Sequence, residues 1–379
     1  MGKEVIGREY YMNLLDSNTD SFKKGKGKNI ALLGPRKSGK SSIVKEHIKN
    51  AKDVVPVYID FTKISLNPEN FSIEFIGNVI FHFLKKQQKE YKSFLLLENL
   101  ARHENDLGKN SFSIIKTIEN ELQKIKPDQK LIVESSFRFA EALAKENGKK
   151  LLIILDDFEN ILDLNNFSQV KDILSIINFD SENVRYIATS SAVKESLALL
   201  KKFECFEIKA LEKKDSIELI ESIVGKVERN AAEEIFSLSH GHPFTTILVS
   251  KKYNDIKNVK KAFLIELLQK NNSLHNYCND SINYYYNRAR GQTLLKTVLR
   301  VIANEELRLT DISKKIYRSA PVTKSILERL MQTDVIHKKD NKFYFTDNTL
   351  RIWLKLISQG YEFDEVPSDK ILDEVAKEL

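Results

Sequence analysis

At 379 residues the chain is too long for one small domain, and two or three are expected. A hydrophobic fraction of 42% suffices for real cores, and a net charge of +7 with a pI near 9.0 permits a nucleic-acid or acidic partner without demanding one. Cys205 and Cys278 stand far apart in no CxxC spacing, which argues against a disulfide framework or a cysteine zinc site.

The first twenty residues, "MGKEVIGREYYMNLLDSNTD", lack a signal-peptide core, and Ile6 stands where a myristoylation signal wants Ser or Thr. No apolar run reaches the roughly 18 residues of a membrane span, so a soluble, cytoplasmic protein without membrane contact is expected. "NIALLG" (29–34) is a short apolar run ended by glycine, which predicts a buried strand. "SSIVKEHIKNA" then has apolar residues at helical spacing. Further strands are predicted at 54–61, 150–158, 183–191 and 202–208, with a helix-rich insertion over 69–147 closed by Gly148 as a C-cap. Continuous apolar strands separated by helices imply a parallel sheet covered on both faces.

After Lys209 the strand pattern stops, and helices run to about residue 289. Three more helical segments follow, then "VIHKKDNKFYFT", two strands around Asp340-Asn341, and a last helix, "NTLRIWLKLISQG". That is the order of a winged helix-turn-helix. The reading is an α/β chain: with the glycine loop "GPRKSGKS" (34–41) after its first strand, 1–210 reads as a P-loop NTPase domain with a parallel sheet, and 211–289 as a helical lid. A winged helix over 290–360 and an acidic tail over 361–379 complete it.

Gly34-Pro35-Arg36-Lys37-Ser38-Gly39-Lys40-Ser41 fits GxxxxGK[ST]. Glycines allow a tight loop whose N–H groups face phosphate oxygens, and the helix that follows aims its dipole at them. Lys40 is assigned to the β- and γ-phosphates and Ser41 to Mg²⁺, with Pro35, Ser38 and Ser42 in the same cradle. Arg36 and Lys37 hold variable positions and read as solvated or anion-attracting. "LLIILDDFENI" places Asp156 where a buried strand exits, to hold a metal-bound water, and Asp157 beside it as the base for an attacking water; Glu159 could substitute. "IATSS" offers Thr189, Ser190 and Ser191, as phosphate sensors or as a hydroxyl-capped helix start, and both readings can hold for different residues.

These motifs together resemble the archaeal P-loop ATPases related to the AAA+ initiator (origin-recognition) ATPases and to the signal-transduction NTPases called STAND. "VIGREYYMNLL" resembles their GRE box, which makes Ile6, Gly7 and Arg8 adenine-side candidates. "SHGHPF" resembles the Gly-x-Pro box of the lid and implies that Pro243 approaches the nucleotide. "FYFTDNTLRIWLK" resembles the ending of their winged helix, with Asp347-Asn348 in place of the usual Asp-Pro. The resemblance implies ATP and Mg²⁺ as ligands, slow hydrolysis to ADP and phosphate, and a switch coupled to the winged helix; the other reading is a nucleotide-binding regulatory or DNA-binding module with little hydrolysis.

Two departures bear on turnover. The second acid is Asp157 rather than Glu, and Lys201 and Lys202 precede the fifth strand where initiator-type ATPases carry an arginine finger. His240 and His242 occupy the place of an arginine sensor, while Arg185, Arg288 and Arg290 are arginines without an assigned position. An arginine could also come from a protein partner or a second copy.

Residues 291–360 carry thirteen Lys and Arg against seven Asp and Glu, a net of +6, and the tail 361–379 carries −5. The tail is therefore expected to fold over the basic region. The would-be recognition helix, "PVTKSILERLMQTD", is expected to expose Thr323, Lys324, Ser325 and Arg329, with Lys338 and Lys339 at the hairpin tip. These suit contact with DNA, while a winged helix serves equally as a protein-docking module.

Overall fold

The computed structural model describes residues 5–289 and 293–379. Five parallel strands form the central sheet: β1 (Asn29–Leu33), β2 (Val55–Asp60), β3 (Leu151–Asp156), β4 (Val184–Ser190) and β5 (Phe203–Glu207), in the order β2-β3-β4-β1-β5. The chain leaves β1, crosses to the far edge at β2, returns through β3 and β4, and only then lays β5 on the other side of β1. The connections on either side of β1 thus run in opposite directions. A sheet of this kind opens its crevice beyond the carboxyl end of such a strand.

Alternation along each strand explains the burial. Ile30 and Leu32 of β1, with Leu152 and Ile154 of β3, face α1 (Glu9–Lys23) and α2 (Lys40–Asn50), where they meet Leu15, Ile43 and Val44. Ala31 and Leu33, with Leu151, Ile153 and Leu155, face the insertion helices α3 (Pro68–Phe83), α4 (Lys109–Leu122) and α5 (Gln129–Glu146). Both faces are dry, so every residue of β1 and β3 is buried and the strands read as unbroken apolar runs. The insertion helix α5 ends as its sequence predicts. Gly148 takes φ +57, and Lys149 N–H reaches back to Ala144 O at 2.9 Å.

Beyond β5 and α6 (Val193–Leu199), which precedes it, come α7 (Lys213–Val224), α8 (Arg229–Ser239), α9 (Pro243–Ile256), α10 (Val259–Leu268) and α11 (Ser273–Arg288). The C-terminal part runs α12 (Thr293–Asn304), β6 (Leu307–Arg308), α13 (Leu309–Lys315), α14 (Ala320–Gln332), β7 (Ile336–Lys339), β8 (Lys342–Phe345), α15 (Asn348–Ser358) and α16 (Asp369–Val375). The strands β6-β8-β7 form an antiparallel sheet. Asp340 (φ +49) and Asn341 (φ +62) close its hairpin as a turn with two left-handed residues, for which this dipeptide is suited. One hydrophobic core joins Ile220, Trp353 and Val375, so α7 to α11, the C-terminal part and the acidic segment share it.

That segment meets the basic region through Lys355, while its other lysine ion pairs go to Lys261 and Lys270, before that region. Asp369 and Asp373 pair with Lys261 of α10 at 2.7 and 3.2 Å, and Glu378 pairs with Lys355 at 2.8 Å. Leu372 and Val375 are buried, and apolar burial sets where this helix docks. Among the described residues, no helix is long and apolar enough to cross a membrane.

Gly77 in α3 shows how tightly the insertion is packed. A Cβ there would overlap the backbone oxygen of Phe94. Gly77→Ala is expected to cost about 1–3 kcal/mol, because the clash is with backbone rather than a movable side chain. Denaturant unfolding monitored by circular dichroism checks this, and an unchanged midpoint would refute it.

Candidate functional site

The glycine loop sits where β1 ends. Gly34 N–H bonds to Ser190 O at 3.1 Å, and a Cβ on Gly34 would lie 3.0 Å from Ile208 O. Gly39 has φ +100, a conformation that side chains resist, and α2 begins at the next residue. The first N–H groups of α2 therefore open toward the loop. Lys40 is 4% exposed, and its Nζ donates to Gly34 O (2.8 Å), Pro35 O (2.7 Å) and Ser191 Oγ (3.0 Å). Burial brings its ammonium down to about 8, against the pull of Glu159, Asp157 and Asp156, so it remains charged at neutral pH.

Asp156 is 2% exposed and accepts three hydroxyl donors. Ser41 Oγ lies 3.0 Å from Oδ1, and Thr189 and Tyr58 donate as well. Asp157 follows with φ +52 and ψ +47, a left-handed turn that swings it out of the strand, and its N–H donates to Thr189 Oγ1 at 3.1 Å. Burial, then repulsion from Glu159 and Asp156, pushes its carboxyl up to about 6, with Lys40 acting in the other direction. Glu159 is 5% exposed; its Oε1 accepts Ser191 N–H (3.0 Å) and Tyr284 O–H (3.2 Å), while its buried Oε2 has no hydrogen-bond partner.

A cleft of about 330 Å³ opens beside these groups. Its polar end is made by Arg36, Lys37, Ser38, Gly39, Lys40, Ser41, Ser42, Asp157 and Ser191, and its apolar end by Val5, Ile6, Leu211, Leu219, Pro243, Phe244 and Ile247. Three larger hollows, of about 740, 580 and 450 Å³, lie away from the loop: one at the amino ends of β1, β4 and β5, one beside α4 and α5, and one beside α1. None contains a glycine loop.

Most residues picked from sequence thus meet at one place. Arg8 lines the cleft too, but it also works as a brace: Nη1 donates to Lys209 O (2.7 Å) and Nη2 to Ser38 O (3.0 Å). Gly7, Gly34 and Pro35 lie behind the lining. Gly7 (φ +69) lets the chain pass Asp215 of α7, where a Cβ would fall 2.7 Å from that residue's Cβ. The three hydroxyls of "TSS" divide as both readings allowed. Thr189 serves Asp156, Ser190 Oγ accepts Ala192 N–H (3.1 Å) and Ser196 O–H (2.7 Å) at the entrance to α6, and Ser191 meets Lys40.

Several expectations are corrected. Arg36 is not a solvated loop residue. Its guanidinium lies 4.7 Å over the ring of Tyr284, and its Nε is buried without a hydrogen-bond partner. His240 and His242 do not line the cleft. His240 (φ +49) ends α8 and contacts the Asn348 side chain at 2.6 Å, which gives the Asp-Asn departure a partner. His242 caps α9 and meets Arg36 O at 3.0 Å; burial lowers the pKa of both imidazoles. Arg185 is tied to Gly27 O and Ser181 O at the amino end of β4, the far end of the strands from the loop, and Arg288 pairs with Glu195. Arg290 lies outside the described residues.

On the C-terminal part, Thr323 is buried and its hydroxyl donates to Ser319 O (3.0 Å), because it falls on the inner face of α14. Arg329 is half-buried, its Nε donating to Ala289 O at 2.8 Å, which removes it as a base reader. Lys324, Lys338 and Lys339 are exposed. Sequence reasoning missed Tyr58, Tyr284 and Tyr277, which come from distant segments and carry no local motif.

The donor set fits a nucleotide with Mg²⁺. Among the described residues no cluster of three or more His, Cys, Asp or Glu is arranged to hold a metal alone. One hydroxyl paired with one carboxylate, as at Ser41 and Asp156, suits an ion that takes its other ligands from phosphate and water. Of six buried side-chain atoms without a hydrogen-bond partner among the described residues, three lie around this loop: Arg36 Nε, Ser38 Oγ and Glu159 Oε2.

No protein-family model matches the chain, and no curated protein matches it. Solved structures do. A Walker-type ATPase of Pyrococcus abyssi is similar over 93% of this chain and 96% of its own, at 17% identity and a TM-score of 0.64. A RuvB mutant of Thermotoga maritima (13% identity, 96% and 98% covered, TM-score 0.42) and Cdc6p of Pyrobaculum aerophilum (11% identity, 100% and 96% covered, TM-score 0.42) also match. The α/β part with its parallel sheet has the P-loop ATPase fold.

The raised Asp157 carboxyl makes a pH prediction. A carboxyl titrating near 6 when folded and at an ordinary 3.8 when unfolded favours folding below about 4, and that contribution is lost as pH rises through 6. Asp157→Asn removes it, so the wild type should lose stability relative to the variant between about pH 4 and pH 7. Urea unfolding of both across that range checks the sign, and a pH-independent difference would contradict the burial argument.

Proposed function

We propose that this chain, which has the P-loop ATPase fold, binds ATP with Mg²⁺ and hydrolyses it slowly to ADP and phosphate, as a switch. The observation that carries the reading is the convergence of Lys40, Ser41–Asp156 and Asp157 on one cleft whose other end is apolar. Ile6, Leu211, Leu219 and Pro243 offer the flat apolar walls that an adenine ring needs, with Arg8 bracing the loop between them and the phosphates. Lys40 holds the β- and γ-phosphates once it gives up the loop carbonyls, and Ser191 lies within its reach to sense the terminal one. Ser41 and Asp156 would hold Mg²⁺, which neutralises charge on the phosphate oxygens when bound. Asp157, with its carboxyl near 6, is poised to take a proton from water at neutral pH.

The boundaries 1–210, 211–289, 290–360 and 361–379 are kept as a proposed division. Residues 293–358 have the element order of a winged helix, which we assign the task of reporting nucleotide state to DNA or to a protein. Lys338 and Lys339 on the exposed hairpin and Lys324 on α14 are the DNA-facing candidates.

Phosphate release tests the enzymatic reading. The wild type should release phosphate from Mg-ATP, Lys40→Ala should release none, and Asp157→Ala should fall at least about tenfold. Equal release from wild type and Lys40→Ala would leave a binding module without turnover. For DNA, a mobility shift that weakens steeply with salt, and weakens further in a Lys338→Ala/Lys339→Ala variant, is expected. No shift at low salt would leave protein docking as the role of this part.

A further inference from the structure

The P-loop carries a second cation, half-buried, whose present partner is uncharged. Arg36 sits two residues after the first glycine of the loop, and its side chain lines the cleft. Its backbone is held: Arg36 O meets His242 Nε2 at 3.0 Å, and the Tyr277 hydroxyl, which donates to Asp347, lies 3.5 Å away. Its guanidinium makes no hydrogen bond from Nε and lies over Tyr284. Tyr284 O–H reaches Glu159, Glu159 takes the N–H of Ser191, and the Ser191 hydroxyl accepts from Lys40, which returns to the loop at Gly34. A closed chain of contacts therefore links the loop, β3's exit, β4's exit and α11 beside the cleft. It contains two unsatisfied members, Arg36 Nε and Glu159 Oε2.

A stacked guanidinium with an unused Nε–H is in a shallow well. The cation–π contact is worth about 0.5–2 kcal/mol, and charge-assisted hydrogen bonds to a phosphate exceed it. Other arginines are committed elsewhere: Arg8 to two carbonyls, Arg185 to Gly27 O at the amino ends of the strands, Arg288 to Glu195. We propose that Arg36 distinguishes triphosphate from diphosphate in cis, exchanging the face of Tyr284 for the terminal phosphate. Tyr284 and its helix α11 are then released from the loop only when that phosphate is present. The inference rests on the nucleotide-binding reading above and adds to it the residue that would read the third phosphate and the element that would feel it.

Direct binding tests it without relying on turnover. Fluorescent (methylanthraniloyl) β,γ-imido-ATP and ADP are titrated with Mg²⁺ into the full chain. Arg36→Ala should lower affinity for the triphosphate about 10- to 100-fold and change ADP affinity less than about threefold, with Arg36→Lys between. Tyr284→Leu removes the competing partner and should raise triphosphate affinity without changing that for ADP. Retained ADP binding shows that each variant is folded. If Arg36→Ala keeps the wild-type ratio of the two affinities, the Arg36 assignment is wrong while the nucleotide reading stands. If the wild type binds neither nucleotide any better than Lys40→Ala, both are wrong.

Discussion

The buried carboxylate of Asp156 is the constraint on which the site depends. A charge that is 2% exposed is costly unless its oxygens are satisfied, and here three hydroxyls satisfy them. They come from separate elements: Ser41 from the first turn of α2, Thr189 from β4 and Tyr58 from β2. One acid thereby ties the loop-bearing helix to both strands that flank β3. The strand order makes this possible, because β4 stands between β1 and β3 and sets the gap that Ser41 and Asp156 must span. Thr189 also accepts the Asp157 N–H, so the left-handed turn that frees Asp157 hangs on the same knot.

A second set of contacts ties the C-terminal half to this region. Lys194, at the start of α6, bonds to Met331 O (2.6 Å) and through its N–H to Asp334 (3.1 Å). Arg288 on α11 pairs with Glu195 on the same turn of α6 as Lys194. Asp347 caps α15 and accepts Tyr277 O–H at 2.7 Å, and that hydroxyl is also the one near Arg36 O. Segments more than a hundred residues apart in sequence therefore meet the loop and the strand exit that follows "TSS". A shift at either place alters polar contacts that the C-terminal half depends on.

The parts legible in the sequence were those written in local spacing. Strand boundaries fell within a residue or two because both sheet faces are dry, which leaves only apolar residues between the turns. The loop was legible because a phosphate cradle needs glycine at fixed offsets. The partners of side chains were not legible. Arg36 read as a loop cation because nothing nearby in sequence announces Tyr284, which lies on α11. Thr323 read as exposed because a hydroxyl between Val322 and Lys324 gives no sign of the helix face it occupies. The acidic segment was placed by its charge, but Leu372 and Val375 decided where it packs. Charge attraction at a surface is weak and screened, whereas an apolar pair has one dry place to go.

The pattern of burial also bears on why a loop of this kind would hold more than it cuts. Lys40, Arg36 and Arg8 concentrate positive charge at the cleft, and each is anchored through several contacts or a stacked ring. Groups that favour an anion equally before and during reaction strengthen binding without lowering the barrier. Rate comes from charge that meets the phosphate only as it separates, and Arg8, Arg185 and Arg288 are each held in other contacts. Arg36 rests on Tyr284 of α11, whose Tyr277 also lies near the loop, so a group that drew Arg36 away would be felt by that helix. That link is the physical basis for the proposed switch.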